Sequence, residues 1–436
     1  MFTRILIANR GEVAVRVIRA CKEMGIFTIA VYADVDRESM HVALADQAIC
    51  IGSAKAEDSY LDMNRVLSAA LATKAQAIHP GYGFLSENAA FAELCERYGI
   101  TFIGPGAQVI AKLGDKDTAR RMMRANGVPT TPGTDILPDA EAAKKAAREI
   151  GYPILLKASA GGGGKGIRLV KAEADMTHAF DTASNEARRA FGDGRMYMEK
   201  YLDPVKHIEV QILADEQGNT ICLGERECSI QQNNQKLVEE SPSPGVSPET
   251  RAKLTEIATR AAKAAGYVNA GTVEFLMDQA GDVYFMEMNT RLQVEHPVTE
   301  LVTGLDIVKW QIRIAAGVSL DLRQEDIQVT GAALECRINA KAAGNIDFLI
   351  VPSGPWVRLD TFLYQGYRVL PYYDSMLGKL VVYSSSREEA IRKMQSALCE
   401  LVIEGTPNNI EEQLDIIRDP RFKQGDYYTD FMKNRS

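Results

Sequence analysis

The sequence predicts a protein of several domains, α/β at its N-terminus and a mixture of α/β and α+β structure beyond. At 436 residues the chain is longer than one hydrophobic core usually supports, so two or three domains are expected. Near the start, the apolar run Ile5–Asn9, a helical pattern from Val13 to Cys21 and the strand Thr28–Tyr32 form a βαβ unit. Much later, two β-rich runs flank the polar turn Gln279–Gly281, which predicts an antiparallel hairpin.

Composition argues against several classes of protein. Hydrophobic residues make up 46% and charged residues 25% of the chain, as in an ordinary soluble globular protein. The net charge of −8 argues against nucleic acid as the main partner. No apolar run approaches membrane-spanning length, and the first residues lack the pattern of a signal peptide. The seven scattered cysteines contain no C-x-x-C pair, so we expect a reduced, cytoplasmic protein without disulfides or a zinc site.

The first domain has a candidate ligand loop. Its βαβ turn reads Asn-Arg-Gly-Glu rather than G-x-G-x-x-G, so the nicotinamide-binding fingerprint is absent. The strand Ala75–His79 leads into His-Pro-Gly-Tyr-Gly, ending at Gly83, at the edge where open α/β sheets bind ligands. A helix over Glu87–Tyr98 and a strand over Thr101–Ile103 complete this domain, which should end near residue 113.

A glycine-rich segment marks the second unit. Its predicted elements are a connecting helix over Asp115–Ala125, a helix over Ala140–Ile150, and strands over Pro153–Ser159 and Ile167–Val170. Between these strands lie Gly161–Gly164 and Lys165, and the run predicts a mobile flap whose amides close over phosphates. It is not a P-loop, because no Ser or Thr follows the lysine, and a flexible linker is the alternative. Lys157, inside the first strand, needs an anionic partner such as a nucleotide phosphate.

Polar positions in the next strands are open to two interpretations. Met196–Leu202 has the pattern of an interdomain strand and hinge, in which Glu199 either accepts a hydrogen bond from a base or is solvated. The run from His207 to Gln211 alternates as a half-exposed strand. His207 and Glu209 share a face of it, but without a third ligand no metal site is expected there.

The remaining elements follow from their periodicity and caps. They are the polar run Glu225–Gln235, a helix over Glu249–Ala265 capped by Ser247, hairpin strands over Thr272–Asp278 and Asp282–Met288, a helix over Leu305–Ala315, a strand carrying Arg337, and a last helix over Arg387–Leu401 followed by a polar tail.

The hairpin places two carboxylates opposite one another. If Asp278 pairs with Val283, then Glu274 lies directly opposite Glu287, and alternation puts Asn289 on the face of Glu287. Two carboxylates and an amide oxygen are ligands that Mg²⁺ prefers. The alternatives are that one glutamate points to solvent, or that a lysine or arginine separates the pair.

A dense set of polar residues follows the hairpin: Asn289, Arg291, Gln293, Glu295 and His296. A buried core would not combine these residue types, whereas an anion site with an attached base would.

Taken together, these motifs resemble those of the biotin carboxylases. The matching segments are, in order, IANRGE (Ile7–Glu12), HPGYGFLSEN (His79–Asn88), GDK (Gly114–Lys116), KAS-GGGGKG (Lys157–Gly166), MEKYL, ECSIQ…QK, EFL…MEMNTRLQVEHPVTE, ECRINA and PYYDSM. The similarity runs from about residue 4 to about residue 425, and MNTRLQVEHPVTE is its most specific part.

The resemblance implies the ATP-grasp architecture, with a Rossmann-like N-terminal domain, a small mobile lid and a larger C-terminal domain enclosing ATP. The implied division is residues 1–113 for the N-terminal domain, 114–130 for a linker helix, 131–202 for the lid with its flap, and 203–436 for the catalytic domain.

The resemblance also implies roles for individual residues. ATP would be bound by Lys116, Lys157, Gly162, Gly163, Gly164, Glu199, Leu202, His207, Gln231, Glu274 and Glu287. The metal, Mg²⁺ or Mn²⁺, would be held by Glu274, Glu287 and Asn289. Bicarbonate and biotin would be bound by Lys236, Arg291, Gln293, Val294, Tyr82 and Arg337. The catalytic set would be Glu295 as general base, Arg291, Lys236, and Arg337 beside the biotin enolate.

The implied function is ATP- and bicarbonate-dependent carboxylation of biotin through carboxyphosphate, as the first half-reaction of acetyl-CoA carboxylase. The only Met-Lys pair, Met432-Lys433, leaves no room for a carrier domain. We therefore expect a separate biotin carboxyl carrier protein, separate carboxyltransferase subunits and a homodimer.

Three alternatives stay open: a carboxylase subunit serving another acyl-CoA or pyruvate, an ATP-grasp ligase for another carboxylate, and a nucleotide-binding regulatory subunit. The Glu295–Arg337 pair argues against the second. The sequence departs from the family at two places, of which only the altered run Gln232–Asn234 bears on the third alternative. Gln231–Lys236 reads QQNNQK where the family often has QRRHQK, and Lys341–Ile350 differs from the usual E-D-P run.

Overall fold

The computed structural model describes residues 1–159 and 166–435. The glycine run Gly161–Gly164 and Lys165, on which the flap prediction depends, lie outside the described residues. The flap therefore stays a prediction.

The N-terminal sheet is parallel and open, as the βαβ pattern predicts. Its elements are β1 (Arg4–Ile7), α1 (Gly11–Glu23), β2 (Phe27–Ala33), α2 (Met40–Leu44), β3 (Gln47–Gly52), α3 (Met63–Ala72), β4 (Ala77–His79), α4 (Ala89–Arg97), β5 (Thr101–Phe102) and α5 (Ala107–Gly114). Within the described residues the order is β3-β2-β1-β4-β5, all parallel. Ile5 and Ile7 pack with α1, and Leu6 and Ala8 pack with α3 and α4 on the other face. Burial on both faces explains why the three buried residues of β1, Ile5, Leu6 and Ile7, are all apolar.

The carboxyl ends of β1 and β4 meet at one edge of this sheet. Ile7 pairs with His79 in the parallel register. Just beyond, the side-chain Nδ2 of Asn9 donates to the carbonyl oxygens of Pro80 (2.7 Å) and Tyr82 (2.8 Å). The position predicted for the ligand loop, at the carboxyl end of β4, is confirmed.

In the described part of the chain, the second unit is a small antiparallel sheet with three helices, the first of which connects it to the N-terminal unit. Its elements are α6 (Lys116–Ala125), α7 (Ala140–Ile150), β6 (Ile154–Ala158), β7 (Ile167–Val170), α8 (Met176–Phe191) and β8 (Met196–Lys200). Within the described residues the strand order is β7-β6-β8. The connecting helix begins after Asp115, whose Oδ1 accepts a hydrogen bond from the Thr118 amide at 2.8 Å. The predicted bounds of α7 and β7 are confirmed.

The rest of the chain forms a large antiparallel sheet with its helices. The elements are β9 (Lys206–Ala214), β10 (Thr220–Gln232), β11 (Gln235–Ser241), α9 (Pro248–Ala265), β12 (Asn269–Met277), β13 (Val283–Asn289), α10 (His296–Thr303), α11 (Ile307–Ala315), β14 (Ala332–Asn339), β15 (Gly344–Asn345), β16 (Phe348–Ile350), β17 (Val357–Thr361), β18 (Arg368–Val369), β19 (Met376–Ser384), α12 (Arg387–Glu400), β20 (Val402–Glu404), α13 (Ile410–Arg418) and α14 (Pro420–Gln424). Among the described residues the strand order is β13-β12-β9-β10-β11-β14-β19-β17. The predicted cap of α9 is confirmed, since Ser247 Oγ accepts from the Thr250 amide at 3.1 Å.

The hairpin prediction is confirmed for the pair Glu274 and Glu287 but wrong for the pair next to the turn. Met277, not Asp278, pairs with Val283, because the Asp278 amide closes the turn onto the Asp282 carbonyl at 3.0 Å. A register shift between Phe275 and Glu274 compensates for that difference of one residue. Glu274 therefore lies opposite Glu287, as predicted.

The prediction of a half-exposed strand over His207–Gln211 is wrong, because β9 is buried along its whole length. Its apolar residues Ile208, Val210 and Ile212 pack in the core shared with α9. Its polar residues His207, Glu209 and Gln211 lie on the opposite face, where they are buried and contact other polar and charged side chains. Polar and apolar residues thus alternate in β9 although both faces of the strand are buried: one face lies in an apolar core and the other in a polar one.

The prediction of a polar C-terminal tail is also wrong. Residues beyond α12 form β20, α13 and α14, and Ile416, Ile417 and Phe422 are fully buried in the C-terminal core. These apolar residues are interspersed with acids, which conceals their helical spacing. Separately, no helix within the described residues is long and apolar enough to cross a membrane.

Candidate active site

A cleft of about 1310 Å³ is lined by loop and helix residues of the N-terminal unit, by strands of the small and large sheets, and by the segments that connect them. It gathers almost every site residue predicted in the described part of the chain: Tyr82, Lys116, Lys157, Glu199, Leu202, His207, Gln231, Lys236, Glu274, Glu287, Asn289, Arg291, Gln293, Val294 and Arg337. Glu295 lies just behind this lining, in contact with two of its residues. Gly162, Gly163 and Gly164 lie outside the described residues.

Lys236, on β11, lies among three carboxylates. Its Nζ is 2.6 Å from Glu209, 3.1 Å from Glu274 and 2.6 Å from Glu295. Burial would lower the pKa of Lys236, but these carboxylates outweigh burial and hold it well above the ordinary value. Lys236 is therefore a permanent cation that can bind an anion and cannot act as a base near neutral pH.

Glu295 precedes α10 and has no exposed surface. One of its oxygens contacts Lys236, and the other lies 3.0 Å from the guanidinium of Arg337 on β14. Burial alone would raise the pKa of Glu295, but Lys236, Arg337 and Arg226 outweigh it and hold the pKa well below the ordinary value. Glu295 is thus ionised at neutral pH. An anion that shares Lys236 and Arg337 would weaken this stabilisation and make Glu295 more basic.

Glu274 and Glu287 face each other across the hairpin but differ in exposure. Glu274 is buried and accepts from the side-chain amides of Asn289 and Gln293, both at 2.8 Å. The Glu287 side chain is 36% exposed and lies 3.3 Å from Lys116 Nζ. Lys236 therefore contacts Glu274, and Lys116 contacts Glu287. Contact with a lysine was one of the alternatives that the sequence left open for this pair.

Glu274, on the adjacent strand β12, lies beside His207 and Glu209 as a third potential ligand. The sequence alone did not reveal this neighbour. Glu274 pairs directly with Glu209, and the three side chains offer ligand atoms within 4.8 Å of one another. His207 Nε2 lies 2.9 Å from Glu274. Because Arg226 and Lys236 already lie against Glu209, this group is an ion-pair network rather than an open metal site.

Lys157 and Glu199 contact each other in the small sheet. Lys157 Nζ lies 2.6 Å from Glu199 Oε2, and Arg120 Nε lies 3.5 Å from the other oxygen. The anionic partner of the largely buried Lys157 is here a carboxylate. A nucleotide phosphate for Lys157 and a base for Glu199 stay predictions.

The anion-site residues predicted after the hairpin form a connected group. The Arg291 guanidinium donates to Gln293 Oε1 and Asn289 Oδ1, both at 3.2 Å, and its Nε lies 2.8 Å from Glu87. Elsewhere on the cleft wall, the Tyr82 hydroxyl donates to Glu12.

Sequence reasoning missed two supporting cations. Arg226 is fully buried and donates to Glu209, Gln211 (2.8 Å), Thr272 (3.1 Å) and Thr299 (2.9 Å). Lys379 is also fully buried; it lies 3.2 Å from Glu12 and donates to the Val294 carbonyl at 2.6 Å. For Lys379, a charged residue within an otherwise apolar strand was the available signal, as it was for Lys157. Arg226 lies between two glutamates in a polar stretch and gave no such signal.

Comparison with known proteins agrees with this geometry. Three family models match successive parts of the chain: the biotin carboxylase N-terminal domain over residues 1–110, the ATP-binding domain of the carbamoyl-phosphate synthase L chain over 115–323, and the biotin carboxylase C-terminal domain over 335–434.

Relatives resemble the chain over its full length. Biotin carboxylase 1 of Bacillus subtilis is 50% identical over 443 residues, covering 99% of this chain and 98% of its own. The biotin carboxylase–β-γ-ATP complex of Campylobacter jejuni superposes with a TM-score of 0.98 at 48% identity, covering 100% of this chain and 99% of the other. The biotin carboxylase domain dimer of Hydrogenobacter thermophilus 2-oxoglutarate carboxylase, solved with MgADP, ADP and bicarbonate, has a TM-score of 0.96 at 50% identity, covering 99% and 97%. This chain therefore belongs to the biotin carboxylases, ATP-dependent ligases of the ATP-grasp fold.

Proposed function

We propose that this protein uses ATP and bicarbonate to carboxylate biotin on a separate carrier protein, with carboxyphosphate as the intermediate. The observation that carries the proposal is Glu295, an ionised carboxylate held between Lys236 and Arg337 behind the cleft wall. Such a group can accept one proton from an anion bound to its own cationic neighbours.

The first step activates bicarbonate. Lys236 and Arg291 hold the anion, and Glu295 accepts its proton as a bicarbonate oxygen attacks the γ-phosphorus of ATP. One P–O bond forms, the bond to the β-phosphate oxygen breaks, and ADP leaves. The carboxylate of Glu295 is available at neutral pH because its neighbours keep its pKa low.

The second step transfers the carboxyl group. Carboxyphosphate releases CO₂ and phosphate within the cleft, the phosphate takes the ureido proton of biotin, and the ureido nitrogen attacks CO₂. Arg337, which lines the cleft, lies beside the oxyanion that develops on biotin. Tyr82 lies on the wall where the biotin ring would bind.

ATP would occupy the part of the cleft between the small and large sheets. Lys116 and Lys157 would neutralise its phosphates, and Glu199, Leu202, His207 and Gln231 would surround the rest of the nucleotide. The oxygens of Glu274, Glu287 and Asn289 suit a hard divalent cation, since the strand pairing places both glutamates together and the half-exposed Glu287 faces the cleft. These three residues would hold Mg²⁺, which supplies charge neutralisation at the transferring phosphoryl group. Closure of the predicted flap would keep water from carboxyphosphate.

We further propose that the carboxyl group passes to acetyl-CoA through a separate carrier and carboxyltransferase, and that the protein works as a homodimer. The match to Biotin carboxylase 1 of Bacillus subtilis supports a free-standing biotin carboxylase subunit. The equal identity to the 2-oxoglutarate carboxylase domain favours that acid as a second candidate acceptor. Reconstitution with each carrier–carboxyltransferase pair, followed by product analysis, distinguishes the acceptors.

The basic activity is tested by ATP cleavage with and without bicarbonate and free biotin. We expect cleavage to require bicarbonate and labelled carbon to appear in biotin. ATP binding without bicarbonate-dependent cleavage would instead support a regulatory subunit.

Arg337→Ala should separate the two half-reactions. Because Arg337 faces the biotin oxyanion, biotin carboxylation should fall by about 10²-fold or more, with a smaller loss of biotin-independent ATP cleavage. Both rates can be followed in one preparation. Equal losses of biotin carboxylation and of biotin-independent ATP cleavage would show that Arg337 binds phosphate or stabilises the fold instead.

Glu287→Gln should weaken the metal site without unfolding the protein. Glu287 is partly exposed, so the metal-free melting temperature should change little, with a free-energy effect of about 0.5 kcal/mol or less. ATP cleavage should require more Mg²⁺, and excess Mg²⁺ should restore part of it. Asp282→Asn, at the far end of the same hairpin, is the matched control. A loss of metal-free stability with normal Mg²⁺ dependence would contradict the assignment.

A further inference from the structure

We propose that Glu239 is a positioning residue for biotin carboxylation: it holds the Arg337 guanidinium against Glu295 and is backed by Glu335. This inference rests on the proposed function and adds a residue that no motif of the sequence singled out.

The Arg337 guanidinium is held from two sides. Its Nε donates to Glu239 Oε1 at 2.6 Å, and its terminal nitrogen lies 3.0 Å from Glu295 Oε2. Glu239 is fully buried and does not line the cleft. It therefore acts on substrate only through Arg337, whose guanidinium plane it orients by a charge-assisted hydrogen bond.

Glu335 lies directly behind this pair. It is opposite Glu239 in the antiparallel register of β11 and β14, and it too has no exposed surface. Among the described residues, neither oxygen of Glu335 nor the Oε2 of Glu239 has a hydrogen-bond partner. Two opposed, buried carboxylates cannot both stay charged at low cost, so the pair holds a proton.

The surroundings place this proton on Glu335. Arg337 hydrogen-bonds to Glu239 and not to Glu335. Burial and the neighbouring Glu239 raise the pKa of Glu335 well above its ordinary value, against the opposing charge of Lys379. Burial raises the pKa of Glu239 as well, to about 7, but the Arg337 guanidinium that donates to it opposes this rise. With Glu335 neutral, Glu239 is the acid of the pair that carries the negative charge beside Arg337.

This arrangement has a consequence for the second half-reaction. Once Glu295 has taken the bicarbonate proton, it no longer attracts Arg337 as an anion. Glu239 would still hold the guanidinium in place when the oxyanion of biotin develops. Without Glu239, Arg337 would lose its fixed orientation at the step that needs it.

A double-mutant cycle tests the proposal. Glu239→Gln should lower the kcat of biotin carboxylation by about 10-fold to 10²-fold, as expected for a displaced catalytic group. Biotin-independent ATP cleavage should fall less, and the KM for ATP should not change. In an Arg337→Ala background the same change should cause no further loss, because Glu239 acts through Arg337 alone. Glu335→Gln, which matches a neutral acid in shape, is the control and should behave as wild type.

Each outcome decides one point. If the losses of the two single variants add up in the double variant, Glu239 is merely structural. If Glu239→Gln carboxylates biotin at the wild-type rate, the role of Glu239 is overturned but the proposed function is not. A loss in Glu335→Gln equal to that in Glu239→Gln would overturn the backing role. Absence of biotin carboxylation in the wild type would overturn the proposed function as well. If Glu239→Gln has a much lower melting temperature than the wild type, the cycle is repeated with Glu239→Asp. This variant keeps the negative charge, but its shorter side chain no longer reaches Arg337. The same loss of biotin carboxylation is expected.

Discussion

Replacing Glu295 with glutamine should reduce bicarbonate-dependent ATP cleavage by about 10²- to 10⁴-fold, the usual contribution of a positioned base. Glutamine keeps the size of the side chain and one oxygen for Lys236 or Arg337, but it cannot accept the bicarbonate proton. Because Glu295 lies behind the cleft lining, the Kd for ATP should stay near the wild-type value. Steady-state cleavage and equilibrium nucleotide binding are the two measurements.

Glu225→Gln is a matched control for the loss of a buried negative charge. Glu225 is also buried, pairs with Arg251 and does not line the cleft. This variant should lose stability while keeping bicarbonate-dependent cleavage. Substantial turnover by Glu295→Gln, or an equal loss in both variants, would remove Glu295 from the role of base.

Replacing Lys236 with methionine should have the largest effect on stability. It removes the cation shared by Glu209, Glu274 and Glu295 and leaves buried carboxylates uncompensated, which typically costs about 3–5 kcal/mol. The free energy of unfolding from urea titration measures this loss. Lys206→Met removes a buried lysine that lies near a single carboxylate outside the cleft, so it should destabilise less and keep bicarbonate-dependent activity.

The stability deficit of Lys236→Met should depend on pH. In the wild type the folded-state pKa values of Glu274 and Glu295 are lowered, so their stabilising contribution is present above the unfolded pKa of about 4.3 and is lost as pH falls through the folded values. Without Lys236 these carboxylates repel one another at neutral pH and bind protons more readily. The deficit should therefore be largest near pH 7 and smaller near about pH 5. A deficit that grows on acidification would contradict the ion-pair account.

The sequence predicted those parts of the structure that depend on local pattern. The βαβ unit, α7, β7 and the Ser247 cap follow from periodicity and capping chemistry, and each is confirmed. The opposition of Glu274 and Glu287 was reached through a wrong turn pairing that a register shift compensates. Position along a hairpin indicates an approximate register, whereas a bulge depends on contacts outside the hairpin.

What the sequence could not show is the pairing of distant charges. The contacts of Lys236 join strands far apart in the chain, and the register of β9 with β12 decides that Glu209 meets Glu274. Alternation suggested that His207 and Glu209 face solvent, because a buried polar face and an exposed one have the same pattern. Glu239 and Arg226 carry no motif and become interpretable only through their neighbours.

The most direct test of the account is the fate of bicarbonate oxygen. Bicarbonate labelled with heavy oxygen should be incubated with ATP, Mg²⁺, free biotin and the protein, and the inorganic phosphate analysed by mass spectrometry. Attack of bicarbonate on the γ-phosphorus predicts one labelled oxygen in each phosphate released, in step with carboxylation of biotin, and neither signal above background in Glu295→Gln. Unlabelled phosphate formed at the full rate in labelled bicarbonate would show that water is the nucleophile, and would contradict the role of Glu295, Lys236 and Arg291 as the site that activates bicarbonate.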